Sequence, residues 1–196
     1  MNMLNPLLSE TDNPPDMTET TLSSEIIFEG KIVTVERQTV RLMDGSESMR
    51  EIIHHSGGAA VLPVDENGYV YLIRQYRKAL ESETLEIPAG KLEENEDPYY
   101  CAVRELKEET GFEADRVESM GSAYPTPGYC DEKIYLYLAT GLKSGRQDLD
   151  PGEFLRVVRI PLTEVVEAVM DGRIHDAKTV IAILKAKEML QMEWNE

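Results

Sequence analysis

The sequence GKLEENEDPYYCAVRELKEETGF, residues 90–112, joins a glycine turn to a helix whose two ends are both encoded. Asp97 suits the cap before the first turn, Pro98 suits the first helical position, and Gly111 suits the position after the last turn. The residues predicted to face the core recur at helical spacing: Ala102, Val103, Leu106 and Thr110. The stretch therefore predicts a helix over residues 97–111.

The opposite face of this helix carries three carboxylates within about one turn. Glu105, Glu108 and Glu109 share that face, although like charges at these spacings destabilise a helix by a few tenths of a kcal/mol per pair. Carboxylate oxygens gathered in this way suit Mg²⁺ or Mn²⁺, and backbone carbonyls of the turn at residues 88–90 could approach the same cation. Taken alone, the three glutamates fit a solvated acidic face equally well.

Outward from the helix, the sequence is typical of strands joined by tight turns. Asp44-Gly45 and Asn67-Gly68 are hairpin signals. The helix that follows the last strand is predicted to be capped by Thr163 and to end near Gly172, and the next to be capped by Asp176 and to run to about Met192. Strands are predicted at residues 26–43, 49–55, 59–64, 69–74, 84–87, 117–124, 134–140 and 154–160, with a loop at 141–152.

The order of these elements predicts the fold class. Hairpins with interspersed helices, rather than regular βαβ units, indicate an α+β fold, an α/β/α sandwich with a mixed β-sheet. Residues 1–22 are polar and rich in proline, so they are predicted to form a flexible lead-in. The predicted boundaries are 23–56 for a small N-terminal β region, which begins with strand signal at Ser23, and 57–196 for the sandwich.

Composition and charge exclude several classes of partner. The 196 residues carry a net charge of −17, which argues against a nucleic-acid polymer because binding one needs a lysine- and arginine-rich surface. The sequence has no run of about 18 apolar residues and no secretory signal, so we expect no membrane association and a cytoplasmic protein. An anionic substrate would need bound cations or arginines to reverse the local field.

Cysteine and histidine add little to the functional prediction. Cys101 and Cys130 make no disulfide framework and are expected to stay reduced, with Cys101, one turn before Glu105 on the predicted helix, as a buried thiol. His54, His55 and His175 form neither a zinc spacing nor a Ser/His/Asp grouping, so no functional hypothesis attaches to them.

Nine positions within residues 90–112 resemble the Nudix box. The pattern runs Gly90, five residues, Glu96, seven residues, Arg104-Glu105-Leu106, one residue, Glu108-Glu109, one residue, Gly111-Phe112. On this resemblance the chain is identified as a member of the Nudix hydrolases. Membership implies the sandwich fold, a divalent cation, and hydrolysis of a diphosphate in a small nucleotide-type substrate.

Segments outside the box resemble the ADP-ribose pyrophosphatase branch of that family. They lie at residues 75–77, 86–90, 125–128, 152–154 and 176–179. Pro127, fifteen residues beyond Phe112, stands at the offset associated with ADP-ribose specificity. The resemblance implies hydrolysis of ADP-ribose to AMP and ribose 5-phosphate. The alternatives are another diphosphate, such as NADH, a sugar nucleotide, a dinucleoside polyphosphate or an oxidised nucleotide, and a ligand sensor without catalysis.

The resemblance also implies roles for the acidic residues. Glu105, Glu108 and Glu109 are the expected ligands of Mg²⁺, with Mn²⁺ as a possible substitute, and the Ala89 carbonyl completes the metal site. Arg104 would orient these glutamates by ion pairing. Among similar enzymes a glutamate on a loop after the box acts as general base, and the matching position here is Glu153.

Substrate contacts are implied at five positions: Arg77, Arg50, Glu86, Phe28 and Pro127. Arg77 matches an arginine that contacts the substrate's phosphates, and Arg50 resembles one donated across a dimer interface. Glu86 could support the metal region or a ribose hydroxyl, and Phe28 could stack on adenine. The alternative interpretations are a surface cation for Arg77 and a core position for Phe28. Similar enzymes are homodimers, so a homodimer built through residues 23–55 is predicted.

Overall fold

The structure is a computed structural model that describes residues 17–193, with side chains as far as residue 190. The chain divides into two compact units, Met1–His54 and His55–Glu196. Most of the predicted lead-in, residues 1–16, lies outside the described residues.

The N-terminal unit is a three-stranded antiparallel sheet in the order β1-β2-β3. Its strands are β1 (Thr20–Glu29), β2 (Thr34–Arg41) and β3 (Glu47–His54). The hairpin signal at Asp44-Gly45 is confirmed, since Gly45 has a φ of 84° and closes the turn between β2 and β3. The single strand predicted over residues 26–43 is wrong, because a turn from Gly30 to Val33 splits it.

The second unit contains two sheets. One is antiparallel in the order β10-β5-β6, and the other has the order β7-β4-β9-β8, in which β4 and β9 run parallel and the remaining pairs antiparallel. The second sheet is therefore mixed, as predicted. The strands are β4 (Gly58–Pro63), β5 (Tyr69–Arg77), β6 (Ser82–Glu86), β7 (Ala89–Lys91), β8 (Phe112–Ala123), β9 (Ile134–Ser144) and β10 (Leu155–Pro161).

Helices cover the two faces of the mixed sheet. Strand β4 is buried on both sides: Ala59 and Val61 pack with α1 (Pro98–Thr110), whereas Ala60 and Leu62 belong to the core shared with α2 (Leu162–Met170) and α3 (Ala177–Glu193). Successive strand residues point to opposite faces, so one strand supplies both cores. The predicted α/β/α sandwich is confirmed. None of the helices in residues 17–193 is long and apolar enough to cross a lipid bilayer.

The ends of α1 follow the predicted capping. Asp97 accepts a hydrogen bond from the Tyr99 amide at 2.8 Å, and Gly111 adopts the left-handed conformation with φ of 75°. Leu106 is 1% exposed, and burying such a side chain contributes about 1.5–3 kcal/mol. Val103, by contrast, is 36% exposed, and Cys101 takes the inward position instead.

The helices near the C-terminus confirm one predicted cap and correct the other. Asp176 accepts hydrogen bonds from the amide and the hydroxyl of Thr179 at 3.1 and 2.6 Å, so it caps α3 as predicted. Thr163 is not a cap, because α2 begins at Leu162 after Pro161 and makes no side-chain capping bond. Pro161 itself occupies the cap position, and its side chain has no oxygen that could accept a hydrogen bond from the first turn.

Candidate active site

The turn after β6 is fixed against the glutamate helix. The Val61 amide donates to the Pro88 carbonyl at 2.9 Å, and the Ala89 amide donates to Oε2 of Glu109 at 3.0 Å. A Cβ atom at Gly90 would lie 1.7 Å from Oε1 of Glu105, so any side chain at this position would force the Glu105 carboxylate to move. Glycine at residue 90 therefore lets the Glu105 carboxylate pack directly on the backbone.

Two of the three helix glutamates are buried. Glu105 is 9% exposed and Glu109 is 4% exposed. Burial raises the pKa of Glu109 to about 8; the Ala89 amide opposes this rise, whereas the negative charges of Glu105 and Glu153 increase it. Burial likewise raises the pKa of Glu105, against the attraction of Arg104. A solvated acidic face, one of the two interpretations of the sequence, does not describe these residues.

Arg104 organises the acidic cluster from its rim. Its guanidinium donates to Glu96 at 3.0 Å, to Glu105 at 2.6 Å and to Glu108 at 2.9 Å. The hydrogen bond from Arg104 lowers the pKa of Glu96 to about 2. Cys101 is fully buried beside this cluster, with its sulfur 3.8 Å from the Gly90 carbonyl oxygen, and burial raises the pKa of its thiol to about 12. It is a packing thiol, as expected.

The donor set of this cluster fits a divalent cation. Its side chains supply hard carboxylate oxygens, and the pKa values of Glu105 and Glu109 are raised mainly by burial, a cost to the ionised carboxylates that a bound cation would offset. Among the described side chains, no group of three His, Cys, Asp or Glu residues is already gathered closely enough to hold a metal. The ion pairs of Arg104 with Glu105 and Glu108 hold these carboxylates toward the arginine.

Arg77 and Glu86 form an ion pair beside the turn, in which Glu86 is buried and Arg77 is half-buried. Nε and Nη2 of Arg77 each donate to a Glu86 oxygen at 2.7 Å, and Thr84 and Lys178 donate to the same carboxylate. Burial alone would raise the pKa of Glu86, but the hydrogen bonds and charges of Arg77 and Lys178 outweigh it and lower the pKa to about 2. The charge of Arg77 also acts on Glu109, so the arginine lies within electrostatic reach of the buried glutamates.

A cleft of about 220 Å³ adjoins the turn. Arg77 and Lys178 are the basic residues nearest Glu86 in its lining, and Nδ1 of His55 lies 3.5 Å from a carboxylate oxygen of Glu132 in its wall. The sequence analysis included Lys178 only as part of the resembling segment 176–179 and gave no role to Lys178, His55 or Glu132, because no local pattern indicates what they contact. The full lining is His55, Gly57, Gly58, Ala59, Arg77, Ala89, Gly90, Lys91, Glu132, Ile134 and Lys178.

Glu153 lies in a tight turn at the end of the loop before β10. Its amide donates to the Asp150 carbonyl at 3.0 Å, and its carboxylate accepts from the Asp150 amide at 3.3 Å. Its negative charge raises the pKa of both Glu105 and Glu109. Glu153 therefore lies within electrostatic reach of the buried glutamates.

The remaining candidate residues are Arg50, Phe28 and Pro127. Arg50 and Phe28 belong to the N-terminal unit, where Arg50 donates to Glu19 at 2.9 Å and Phe28 is 55% exposed. A core position for Phe28 is therefore excluded within that unit. Pro127 is exposed in a turn closed by the Thr126 carbonyl. Their substrate contacts stay predictions.

The fold and the buried carboxylates define a class of enzyme, the cation-dependent pyrophosphohydrolases. The chain belongs to the Nudix family, since the NUDIX domain model matches residues 54–182. Residues 19–53 match the model of the nucleoside diphosphate sugar hydrolase N-terminal domain.

Individual relatives resemble nearly the whole chain. The methanol dehydrogenase activator of Bacillus methanolicus is 42% identical over 177 residues, which cover 88% of this chain and 96% of the relative. The ADP-ribose pyrophosphatase of Bacillus subtilis (strain 168) is 40% identical over 181 residues, or 90% and 98% of the two chains. A crystal structure described as an ADP compounds hydrolase superposes with a TM-score of 0.79 at 28% identity, covering 89% of this chain and 95% of that one.

Proposed function

We propose that this protein hydrolyses the diphosphate of ADP-ribose to AMP and ribose 5-phosphate, with Mg²⁺ as the working cation and Mn²⁺ as a substitute. The observation that carries the proposal is that Arg77 lines the same cleft as Ala89 and Gly90, the turn that packs on the buried Glu109 and Glu105. One site thus combines carboxylates for a cation with an arginine suited to phosphate oxygens. The similarity to an ADP-ribose pyrophosphatase over nearly the whole chain supports this substrate.

The cation would be held by the carboxylates of Glu105, Glu108 and Glu109 and by the Ala89 carbonyl. When bound, a divalent cation lowers the pKa of water and offsets the charge of phosphate oxygens. This answers the charge problem posed by a protein with a net charge of −17. Within the site Arg104 keeps the glutamates oriented through its ion pairs.

The other side chains would bind the substrate and accept a proton from the attacking water. Arg77 would hold phosphate oxygens, and Glu86 would keep that guanidinium in place through two hydrogen bonds. Glu153 would accept the proton of the attacking water as general base. Phe28 would stack on adenine, and Pro127 would contribute to specificity for ADP-ribose.

We further propose a cytoplasmic homodimer in which the N-terminal unit contacts a second copy and Arg50 reaches the partner's site. The exposure of Ile26, Ile27 and Phe28 on β1 supports this, because β1 presents apolar surface that a partner would cover. Light scattering should give twice the chain mass of 22.1 kDa. A stable, fully active monomer would rule out the shared site.

A sugar nucleotide is the second candidate substrate. It is favoured by the match of residues 19–53 to the N-terminal domain of nucleoside diphosphate sugar hydrolases. A ligand sensor without catalysis is the remaining alternative, and it is disfavoured because Glu105, Glu108 and Glu109 are all present.

Product analysis distinguishes these functions. Purified protein with Mg²⁺ and ADP-ribose should yield AMP and ribose 5-phosphate in equal amounts, and EDTA should abolish the reaction. The same assay with NADH, a dinucleoside polyphosphate and a sugar nucleotide should give lower kcat/KM. A higher kcat/KM for the sugar nucleotide would overturn the ADP-ribose assignment, and no turnover of any diphosphate would favour the sensor.

A further inference from the structure

Lys178 is a buried cation whose charge is already neutralised. Its ammonium group donates to Glu86 and, at 3.0 Å, to Asp176. The Lys178 side chain is 10% exposed, and that of Glu86 is 2% exposed. A lysine with two carboxylate partners has little charge left for a substrate phosphate, so direct phosphate binding does not account for its position.

The carboxylate that Lys178 contacts is the one that orients Arg77. Oε2 of Glu86 accepts from Nη2 of Arg77 at 2.7 Å and also from Lys178, so both cations share one oxygen. The second oxygen accepts from Nε of Arg77 at 2.7 Å and from the Thr84 hydroxyl at 2.6 Å. The plane of the Glu86 carboxylate therefore fixes the plane of the guanidinium, and Lys178 helps to fix that carboxylate.

Lys178 itself is held by the first turn of α3. Asp176 caps the helix and contacts Lys178, while the Thr179 hydroxyl accepts a hydrogen bond from the Ile87 amide at 2.9 Å. Thr179 is fully buried, so this bond ties α3 rigidly to the residue that follows Glu86. The start of α3 is consequently held beside the end of β6, and Lys178 spans the gap between them to contact Glu86.

We propose that Lys178 is a positioning residue, which acts through Glu86 to fix the direction in which Arg77 presents its guanidinium to the substrate's diphosphate. The inference rests on the proposed function in that it takes a nucleoside diphosphate as the ligand of Arg77. It predicts that Lys178 contributes to substrate affinity without touching the substrate.

A double-mutant cycle between Lys178 and Glu86 tests the proposal. Lys178→Met should weaken ADP-ribose binding, measured by calorimetry, and raise KM by about tenfold while kcat changes less. Glu86→Gln should have a similar effect. The double variant should bind ADP-ribose no more weakly than Glu86→Gln alone, because Lys178 acts on Arg77 only through the Glu86 carboxylate. Lys178→Arg, which keeps the cation, should recover most of the affinity.

Matched variants separate positioning from a general effect on folding. Lys185→Met removes an exposed lysine of the same helix and should leave affinity unchanged. If Lys178→Met does not fold, Asp176→Asn keeps a good helix cap, removes one charge that holds Lys178, and should raise KM by about threefold.

Unchanged affinity in either folded variant, or fully additive effects in the cycle, would overturn the positioning role. Wild-type protein that binds ADP-ribose without turnover would contradict the proposed function alone, because the binding cycle can still be measured. Wild-type protein that does not bind ADP-ribose would contradict both.

Discussion

Replacing Glu109 with glutamine is expected to reduce kcat for ADP-ribose on the order of 10³-fold. The variant would lose several kcal/mol of the transition-state stabilisation that the cation provides. Glutamine keeps an oxygen that can accept the Ala89 amide, so the turn should stay in place. It removes the negative charge that would bind the cation. Calorimetry should show weaker Mg²⁺ binding, and steady-state kinetics should show the loss of kcat.

The same variant should be more stable than the wild type in the absence of divalent cations. The pKa of Glu109 is raised from 4.5 to about 8, so the folded protein binds a proton that the unfolded chain releases between these values. The free energy of unfolding of the wild type therefore falls as pH rises from 4.5 to 8. Because glutamine does not ionise, Glu109→Gln should raise the free energy of unfolding at pH 7 by about 3 kcal/mol. Urea unfolding in EDTA measures the difference.

Glu188→Gln provides the control for both measurements. Glu188 is an exposed glutamate on α3, and its replacement should change neither kcat nor stability measurably. A Glu109→Gln variant that keeps more than about a tenth of the wild-type kcat would exclude Glu109 as an essential cation ligand.

Replacing Glu153 with glutamine is expected to lower kcat by about 10²-fold or more, because a positioned general base typically contributes 10²- to 10⁴-fold. Glutamine can still accept the hydrogen bond from the Asp150 amide, so the turn that places residue 153 should persist. Unlike Glu109→Gln, this variant should bind Mg²⁺ and ADP-ribose nearly as the wild type does. Single-turnover kinetics measures the loss of the chemical step, and calorimetry measures any loss of Mg²⁺ or ADP-ribose binding.

Asp148→Asn is the matched control for the Glu153 variant, since it removes a negative charge from the same loop. The contact of residue 148 with α1 runs through its backbone amide, which donates to the Glu108 carbonyl at 3.0 Å, so the substitution leaves that bond intact. Its kcat should be close to the wild-type value. Equal losses in both loop variants would indicate a general charge effect, and full activity of Glu153→Gln would remove it from the mechanism.

Several features of the site could be predicted because their causes are local in sequence. Capping residues act within one turn, so Asp97 and Gly111 marked the ends of α1 without knowledge of any other element. The spacing of Glu105 and Glu109 likewise follows from helix geometry. Where local rules competed, as at Thr163 after Pro161, the sequence suggested a cap that the chain does not use.

The sequence by itself thus determined the α/β/α class, through the order of its hairpins and helices. It also determined the ends of the glutamate helix and the set of carboxylates, since these depend on neighbours within a few residues. The tertiary structure alone decided that Glu105 and Glu109 are buried, because their burial requires the turn at Gly90 to pack on them. It also decided the pairing of Lys178 with Glu86, which are separated by 92 residues in the chain. Contacts at that separation depend on how sheets and helices assemble, and no local periodicity encodes them.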